Sequence, residues 1–559
     1  MTQAQPHKVS ADHGIAATLE LYGVDYAFGM RVIEEADPEI TKPLVIHYES
    51  SAGLMAHAYA RVSGKPGIVT VNRPGTPNMI MGLHEAWQSS VPLILLMDGV
   101  APNLIGKNSI YEVDAPAMVE PVTKAIIDAP GTASYPEALR KAFRIATSGR
   151  PRPVGLHLIP DIGEQHPQDV DVFAEPAFTH YPSFRALPDP TLIEQAAELL
   201  SRAERPCIVA GGGVILSRAW DALRDLAERT QFPVATTISG KGAFDERHPL
   251  AAGATGAIQG GRYGRGRIAD QIVKESDVVL LVGTRTNQMA TTAWTVPDPR
   301  AKIIHIDVDP DEIGRNYTTS IGIVADARLA LEALRAALSD FHPTANRTGQ
   351  IKAALEEWTR DTEPFATSEQ APIHPGRLIG EISRLIGPNT MIVSDGSSPF
   401  MWASSHFFVG AGTTFLSPRG TGAIGTGLPM AMGAKLGAPG MDVICLEGDG
   451  GLMCGVLAEI ETAAHYGIGV TTVVFNNGTL GHERFNMHAA HTYMDFSPGL
   501  DFAAVARGLR CDAIRVERPD QIRAALEQGV AAGRQGRPTL IDVVLHPAQY
   551  LRMPNGTGG

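Results

Sequence analysis

Short apolar runs separated by polar turns recur along the chain, and their spacing predicts strands alternating with helices. Through residue 165 the runs are VDYAFG, KPLVIHYE, GIVTVN, VPLILLM and PVGLHLI. Residues 166–190 are rich in Pro, Asp and His and read as a linker. A block spanning 191–345 opens with the helical pattern Ile193–Ala203 and carries CIVAGGG, VVLLVG and KIIHIDVD; a last block, 346–559, carries TMIVSDG, DVICLEGDG, VTTVVFNN and TLIDVVL. Strands that are apolar almost throughout are buried on both faces, so the pattern predicts three doubly wound α/β domains, each a parallel sheet between helices. In such sheets ligands sit beyond the carboxyl ends of the strands, near a topological switch point. Motifs at those ends therefore carry the most weight.

Composition narrows the class. With 44% apolar and 19% charged residues in 559, the chain has ample material for buried cores and is not intrinsically disordered. A net charge of −13 disfavours nonspecific binding to nucleic acid or anionic membranes. Cys207, Cys445, Cys454 and Cys511 form no CxxC pair, which points to reduced thiols rather than disulfides or structural zinc. The N-terminus is polar, and apolar stretches such as Val91–Met97 are too short to cross a bilayer. The chain reads as a soluble cytoplasmic protein with no membrane or nucleic-acid partner.

The most informative segment is Val443–Leu480. VICLEGDGG reads as a buried strand ending in the turn Gly448-Asp449-Gly450-Gly451. A helix with Leu452, Leu457, Ile460 and Ala464 on one side is expected next, stopping near Gly467, and VTTVVFNN then ends at Asn476-Asn477. Asp449 and Asn477 should emerge at one edge of neighbouring parallel strands, offering a carboxylate and an amide carbonyl as hard oxygen donors. Glycines beside them let backbone amides approach an anion. Alone, a Gly-Asp-Gly turn is weak, because Asp-Gly most often just makes a turn.

GDG, the intervening residues 451–475 and then NN together resemble the thiamin diphosphate (ThDP) fingerprint of the acetolactate synthase, 2-oxoacid decarboxylase and 2-hydroxyacyl-CoA lyase superfamily. HYESSAGLMAHAYARVSGKPGIVTVNRPGTPNMIMGLHEAWQSSVPLI looks like its pyrimidine-binding domain, the middle block like its nucleotide-type domain, and RGTGAIGTGLPMAMGAKLGAP like the segment that holds the aminopyrimidine. The resemblance implies that Asp449, the Asn477 side chain and the Thr479 carbonyl hold Mg²⁺ against the diphosphate, with Gly448, Gly450, Gly451 and Gly481 around it and Ser397 and Ser398 as further donors. It implies that Glu49 polarises the pyrimidine ring of a cofactor bound to another subunit, so that the protein is a homodimer or homotetramer. Ile424 would support the bent cofactor, and backbone groups of Gly422 would meet the pyrimidine amine.

The reaction is sought where the sequence departs from its relatives. Glu483, six residues beyond Asn477, stands where acetolactate synthases typically have an aliphatic residue. A lyase must return a proton to the carbanion that cleavage leaves, so Glu483, with His482 beside it, favours a lyase or carboligase acting on a 2-oxo acid or a 2-hydroxyacyl-CoA. The alternatives are acetolactate synthase-type condensation of 2-oxo acids and a non-catalytic nucleotide-binding homologue. Arg31, Arg73 and Ile110 are candidate substrate contacts, and Tyr111 stands where relatives face the cofactor with Gln, Glu or His. In the middle block, Arg285 and Asp307 are candidate nucleotide contacts; relatives hold FAD, ADP or nothing there. His488 and His491, without a third ligand nearby, read as a surface or packed pair.

Overall fold

The structure, a computed structural model, describes all residues except 1–5, 10, 31–32, 34–35, 163–167, 257–262, 344–345, 487–491 and 548–559. Arg31, His488, His491 and nearly all of the C-terminal PAQYLRMPNGTGG lie outside the described residues.

Three six-stranded parallel sheets form, flanked by helices. The first contains β1 (Tyr26–Gly29), β2 (Lys42–Leu44), β3 (Gly67–Val71), β4 (Leu93–Asp98), β5 (Ala125–Pro130) and β6 (Val154–Ile159), in spatial order 2-1-3-4-6-5. The second contains β7 (Cys207–Ala210), β8 (Val234–Thr236), β9 (Ala251–Ala254), β10 (Val278–Val282), β11 (Lys302–Asp307) and β12 (Thr319–Val324), in order 9-8-7-10-11-12. The third contains β13 (Thr390–Ser394), β14 (Phe415–Leu416), β15 (Asp442–Gly448), β16 (Thr471–Asn476), β17 (Asp512–Val516) and β18 (Thr539–Val544), in order 14-13-15-16-18-17. The first and third sheets therefore share one topology. Their switch points fall between β1 and β3 and between β13 and β15; that of the second falls between β7 and β10.

Burial explains why the strands read as apolar runs. In the second sheet Ile208, Ala210, Leu280 and Val282 join a core with Leu200, Leu226 and Leu334. The alternating Cys207, Val209, Val279 and Leu281 join a separate core with Ala269, Ile272 and Val273. Each strand thus buries both faces, as a parallel sheet between helices requires.

The chain forms two compact units. One comprises Met1–Phe184, Pro418–Gly440 and Cys454–Ile468 and holds the first sheet; the other comprises Arg185–Ser417, Met441–Met453 and Gly469–Gly559 and holds the remaining two. Part of the linker segment is ordered: Gln168–Asp171 pairs antiparallel with Pro6–Val9, and the Tyr181 hydroxyl donates to the Ala60 carbonyl at 2.8 Å. The described helices include α1 (Glu49–Ser63), α2 (Ile80–Ser89), α3 (Ser397–His406), α4 (Gly427–Gly437), α5 (Glu459–Tyr466) and α6 (Gly481–Asn486). The helix expected after Gly451 is broken: Gly455, at φ 93°, takes a left-handed conformation, and the regular helix α5 starts only at Glu459. Cys207, Cys445 and Cys511 are buried free thiols, whereas Cys454 is exposed. No helix among the described residues is long and apolar enough to cross a membrane.

Candidate active site

The third sheet brings the two halves of the GDG and NN pattern together. Asp395 donates its backbone N–H to the Leu446 carbonyl at 2.8 Å, and Gly448 at the end of β15 lies opposite Phe475 of β16. Asp449 and Asn477 therefore leave adjacent strands side by side. The Asp449 carboxylate accepts the backbone N–H of Gly450 at 2.8 Å and that of Gly478 at 2.7 Å, and Asn477 Oδ1 accepts the Thr479 N–H at 3.2 Å. Asp449 is only 3% exposed. Burial pushes its carboxyl up to about 6, although the surrounding backbone amides pull the other way. A buried carboxylate held by peptide amides, with an amide oxygen nearby, is chemically suited to a cation.

Two further acids stand at this edge. Asp395 and Glu447 are both fully buried, and a Cβ added at Gly451 would lie 2.0 Å from Asp395 Oδ2 and 2.6 Å from Glu447 Oε1. No side chain fits at 451 without moving them. Ser397 and Ser398 begin α3 at the same switch point, Ser398 buried and Ser397 at φ 62°. A non-glycine residue in that region is strained, a feature that clusters at functional sites. Gly481, buried, opens α6, followed by partly buried His482 and exposed Glu483. Arg484 pairs with Asp495 at 2.6 Å.

In the other unit Glu49 opens α1 and is 7% exposed. Asn78 Nδ2 donates to it at 3.0 Å, and a Cβ at Gly75 would lie 2.5 Å from its Oε1. The residue before it, Tyr48, supplies no side-chain cap. Its backbone N–H instead donates to Glu459 Oε1 at 3.1 Å, while Thr462 Oγ1 donates to Glu459 Oε2 at 2.7 Å. His47 contacts Glu461 at 2.8 Å. Thus α5 fixes the start of the helix that carries Glu49. Gly422, exposed, and Ile424, half-buried, lie on the turn leading into α4, which packs along α1. Arg73 is half-buried at the start of a short 3₁₀ helix, Arg73–Met79; Ile110 and Tyr111 are exposed on a loop, Tyr111 at φ 61°.

In the second sheet Arg285 follows β10 and Asp307 ends β11, on one edge. At the switch point a small crevice is lined by Thr237, Thr255, Thr284 and Thr286 together with apolar Val209, Val273, Leu281 and Val296, and neither Arg285 nor Asp307 reaches it.

Three stretches match descriptions of one family: residues 9–118 its N-terminal TPP binding domain, 193–334 its central domain and 395–543 its C-terminal TPP binding domain. The chain is 34% identical to a "Probable acetolactate synthase large subunit" of Methanocaldococcus jannaschii, over 96% of this chain and 92% of that protein. It is 33% identical to a protein of the same description from Methanococcus aeolicus, over 91% of this chain and 86% of the relative. Against an "Acetolactate synthase large subunit" of Parasynechococcus marenigrum the identity is 31%, over 99% and 90%. The chain belongs to the thiamine pyrophosphate enzyme family.

The residues present fit thiamin diphosphate. The matched N-terminal stretch contains Glu49, and the matched C-terminal stretch contains Ser397, Gly422, Asp449 and Asn477. Gly450 and Gly451 are buried beside Asp449 at the strand end, where a Cβ would meet Leu480 Cδ2 at 2.6 Å from 450 and Asp395 Oδ2 at 2.0 Å from 451, so only glycine backbone fits this turn. Among the described residues no three His, Cys, Asp or Glu side chains form a ligand cluster of their own, so any cation here takes backbone, amide or cofactor oxygens as well.

Several of these residues escaped the sequence reading: Asp395, Glu447, Glu459 and Asn78. Each acid stands inside or beside an apolar run, in IVSDG, ICLEGD or LAEIE, and a buried acid in such a setting needs donors brought from elsewhere in the chain. That was the available signal.

Proposed function

We propose that the protein is a ThDP- and Mg²⁺-dependent enzyme of acetolactate synthase type, which decarboxylates one 2-oxo acid and adds the resulting acyl-anion equivalent to the carbonyl of a second. The observation that carries this reading is similarity along nearly the whole chain to proteins described as acetolactate synthases, with Asp449 and Asn477 at the ends of adjacent strands. When bound, ThDP supplies a carbon nucleophile and a sink for the electrons released by C–C cleavage. The protein's part is to bind, orient and exclude water. Asp449, the Asn477 side chain and the Thr479 carbonyl hold Mg²⁺; Gly448, Gly450, Gly451, Gly481, Ser397 and Ser398 surround the diphosphate. Glu49 holds a proton at the pyrimidine ring nitrogen, and Gly422 and Ile424 receive the ring. Ile110 helps shape the acyl pocket, Tyr111 faces the cofactor and Arg73 meets the substrate. Glu49 and the diphosphate site come from different chains, so the working unit is at least a homodimer.

A second reading, a lyase protonating its product through Glu483 with His482, is supported by that glutamate being exposed while the neighbouring Arg484 pairs with Asp495. Product analysis separates the two. Purified protein with ThDP, Mg²⁺ and pyruvate should form acetolactate; acetaldehyde alone, or cleavage of a 2-hydroxyacyl-CoA without condensation, would shift the assignment to the lyase.

A further inference from the structure

Glu85 lies on α2 and is fully buried, yet no feature of the sequence assigns it a task. Its carboxylate receives four donors. Oε1 accepts the Gly420 N–H at 3.0 Å and the Ser89 hydroxyl at 2.7 Å; Oε2 accepts the Thr421 N–H at 2.8 Å and the Thr421 hydroxyl at 2.9 Å. Those donors match the number of lone-pair sites a carboxylate offers. Three of the four come from two consecutive residues of the turn that precedes α4. Binding a carboxylate across successive peptide N–H groups fixes the direction of both peptides, since charge-assisted hydrogen bonds are short and directional.

The restraint passes along the turn. The Thr421 hydroxyl, while donating to Glu85, accepts the Ala423 N–H at 3.2 Å, and the Gly422 N–H donates to the Pro418 carbonyl at 2.8 Å. Gly420 lies flat on α2: a Cβ there would come within 2.6 Å of Gln88 Cβ and 2.9 Å of Glu85 Oε2. Gly422, at φ 71°, then turns outward and is left exposed, ahead of Ile424. Burying a carboxylate is expensive unless its oxygens are hydrogen-bonded, as these four donors arrange. Here the geometry sets the backbone of residues 420–423.

We propose that Glu85 is a positioning residue for the cofactor, holding the 420–423 backbone so that Gly422 and Ile424 are presented to the aminopyrimidine ring in one conformation. This rests on the reading of Gly422 and Ile424 given above. Glu85→Gln keeps the volume but turns an N–H donor toward donors of the turn. Thr421→Val removes the hydroxyl link from the other side, and Thr421→Ser retains it.

The test measures ThDP affinity by circular dichroism titration at fixed Mg²⁺, together with the thermal midpoint of each variant. Glu85→Gln and Thr421→Val should each weaken ThDP binding roughly tenfold or more, with Thr421→Ser staying within about threefold of the unaltered protein. Affinities within about threefold for both Glu85→Gln and Thr421→Val would overturn the proposal, because a purely structural role lowers the midpoint without weakening binding by the folded fraction. If Glu85→Gln does not fold, Thr421→Val decides by the same limits. Failure of the unaltered protein to bind ThDP would instead overturn the cofactor reading itself.

Discussion

Gly451→Ala tests the crowding at the strand edge that carries Asp449, the proposed diphosphate site. The added methyl would start 2.0 Å from Asp395 Oδ2 and 2.6 Å from Glu447 Oε1, whereas ordinary contact begins at 3.4 Å. The two carboxylates would have to retreat by about 1.4 and about 0.8 Å, or the turn carrying Asp449 must move instead; overpacking of this kind costs about 1–3 kcal/mol. Displacing buried carboxylates adds about 1–3 kcal/mol, and the better helix propensity of Ala returns about 1, leaving a net loss of about 1–5 kcal/mol. Metal ligation tolerates only about 0.2 Å, so the shift should also weaken ThDP binding in the presence of Mg²⁺ by roughly tenfold or more. Differential scanning calorimetry and ThDP titration read the two effects. Gly508→Ala is the control: nothing lies within 4 Å of its Cβ position, at the last residue of the helix Phe502–Gly508, and it should be neutral or stabilising by up to about 1 kcal/mol. If Gly451→Ala matches Gly508→Ala in midpoint and binds ThDP like the unaltered protein, the crowding argument is wrong.

Other outcomes follow from single groups. Desolvation raises Asp270 from 3.8 to about 7, against hydrogen bonds from the Gly256 N–H and the Thr292 hydroxyl. The unfolded chain releases this proton near 3.8 and the folded one near 7, so stability falls as pH rises across that window, by up to about 4 kcal/mol; Asp270→Asn should flatten the midpoint-against-pH curve there, and an unchanged slope would refute the assignment. Glu49→Gln should lower kcat by roughly a hundredfold or more while ThDP affinity changes far less, measured by turnover and titration; near-normal turnover would remove Glu49 from the chemistry. Glu483→Gln should leave acetolactate formation within about threefold if the condensing reading holds; a large loss restricted to proton-returning products would favour the lyase.

Much of the architecture could be read before any coordinates. Runs such as GIVTV, VVLLV and VICLE are apolar at successive positions because each strand buries both faces, and that continuity alone implies parallel sheets between helices. The GDG and NN turns, being short-range patterns at strand ends, were legible for the same reason, and Asp449 and Asn477 do emerge together. The break at Gly455 was not legible, since an apolar periodicity continues across it while the backbone conformation does not.

What only the tertiary structure decided are the contacts between residues far apart in the chain. Glu85 reaching Gly420 and Thr421, Glu459 taking the Tyr48 N–H, and Asp395 with Glu447 closing around Gly451 each join segments separated by tens to hundreds of residues. Periodicity reports which face of an element is dry. It says nothing about which distant donor will satisfy a charge buried there, because that choice depends on sheet order and helix docking, which local sequence does not encode.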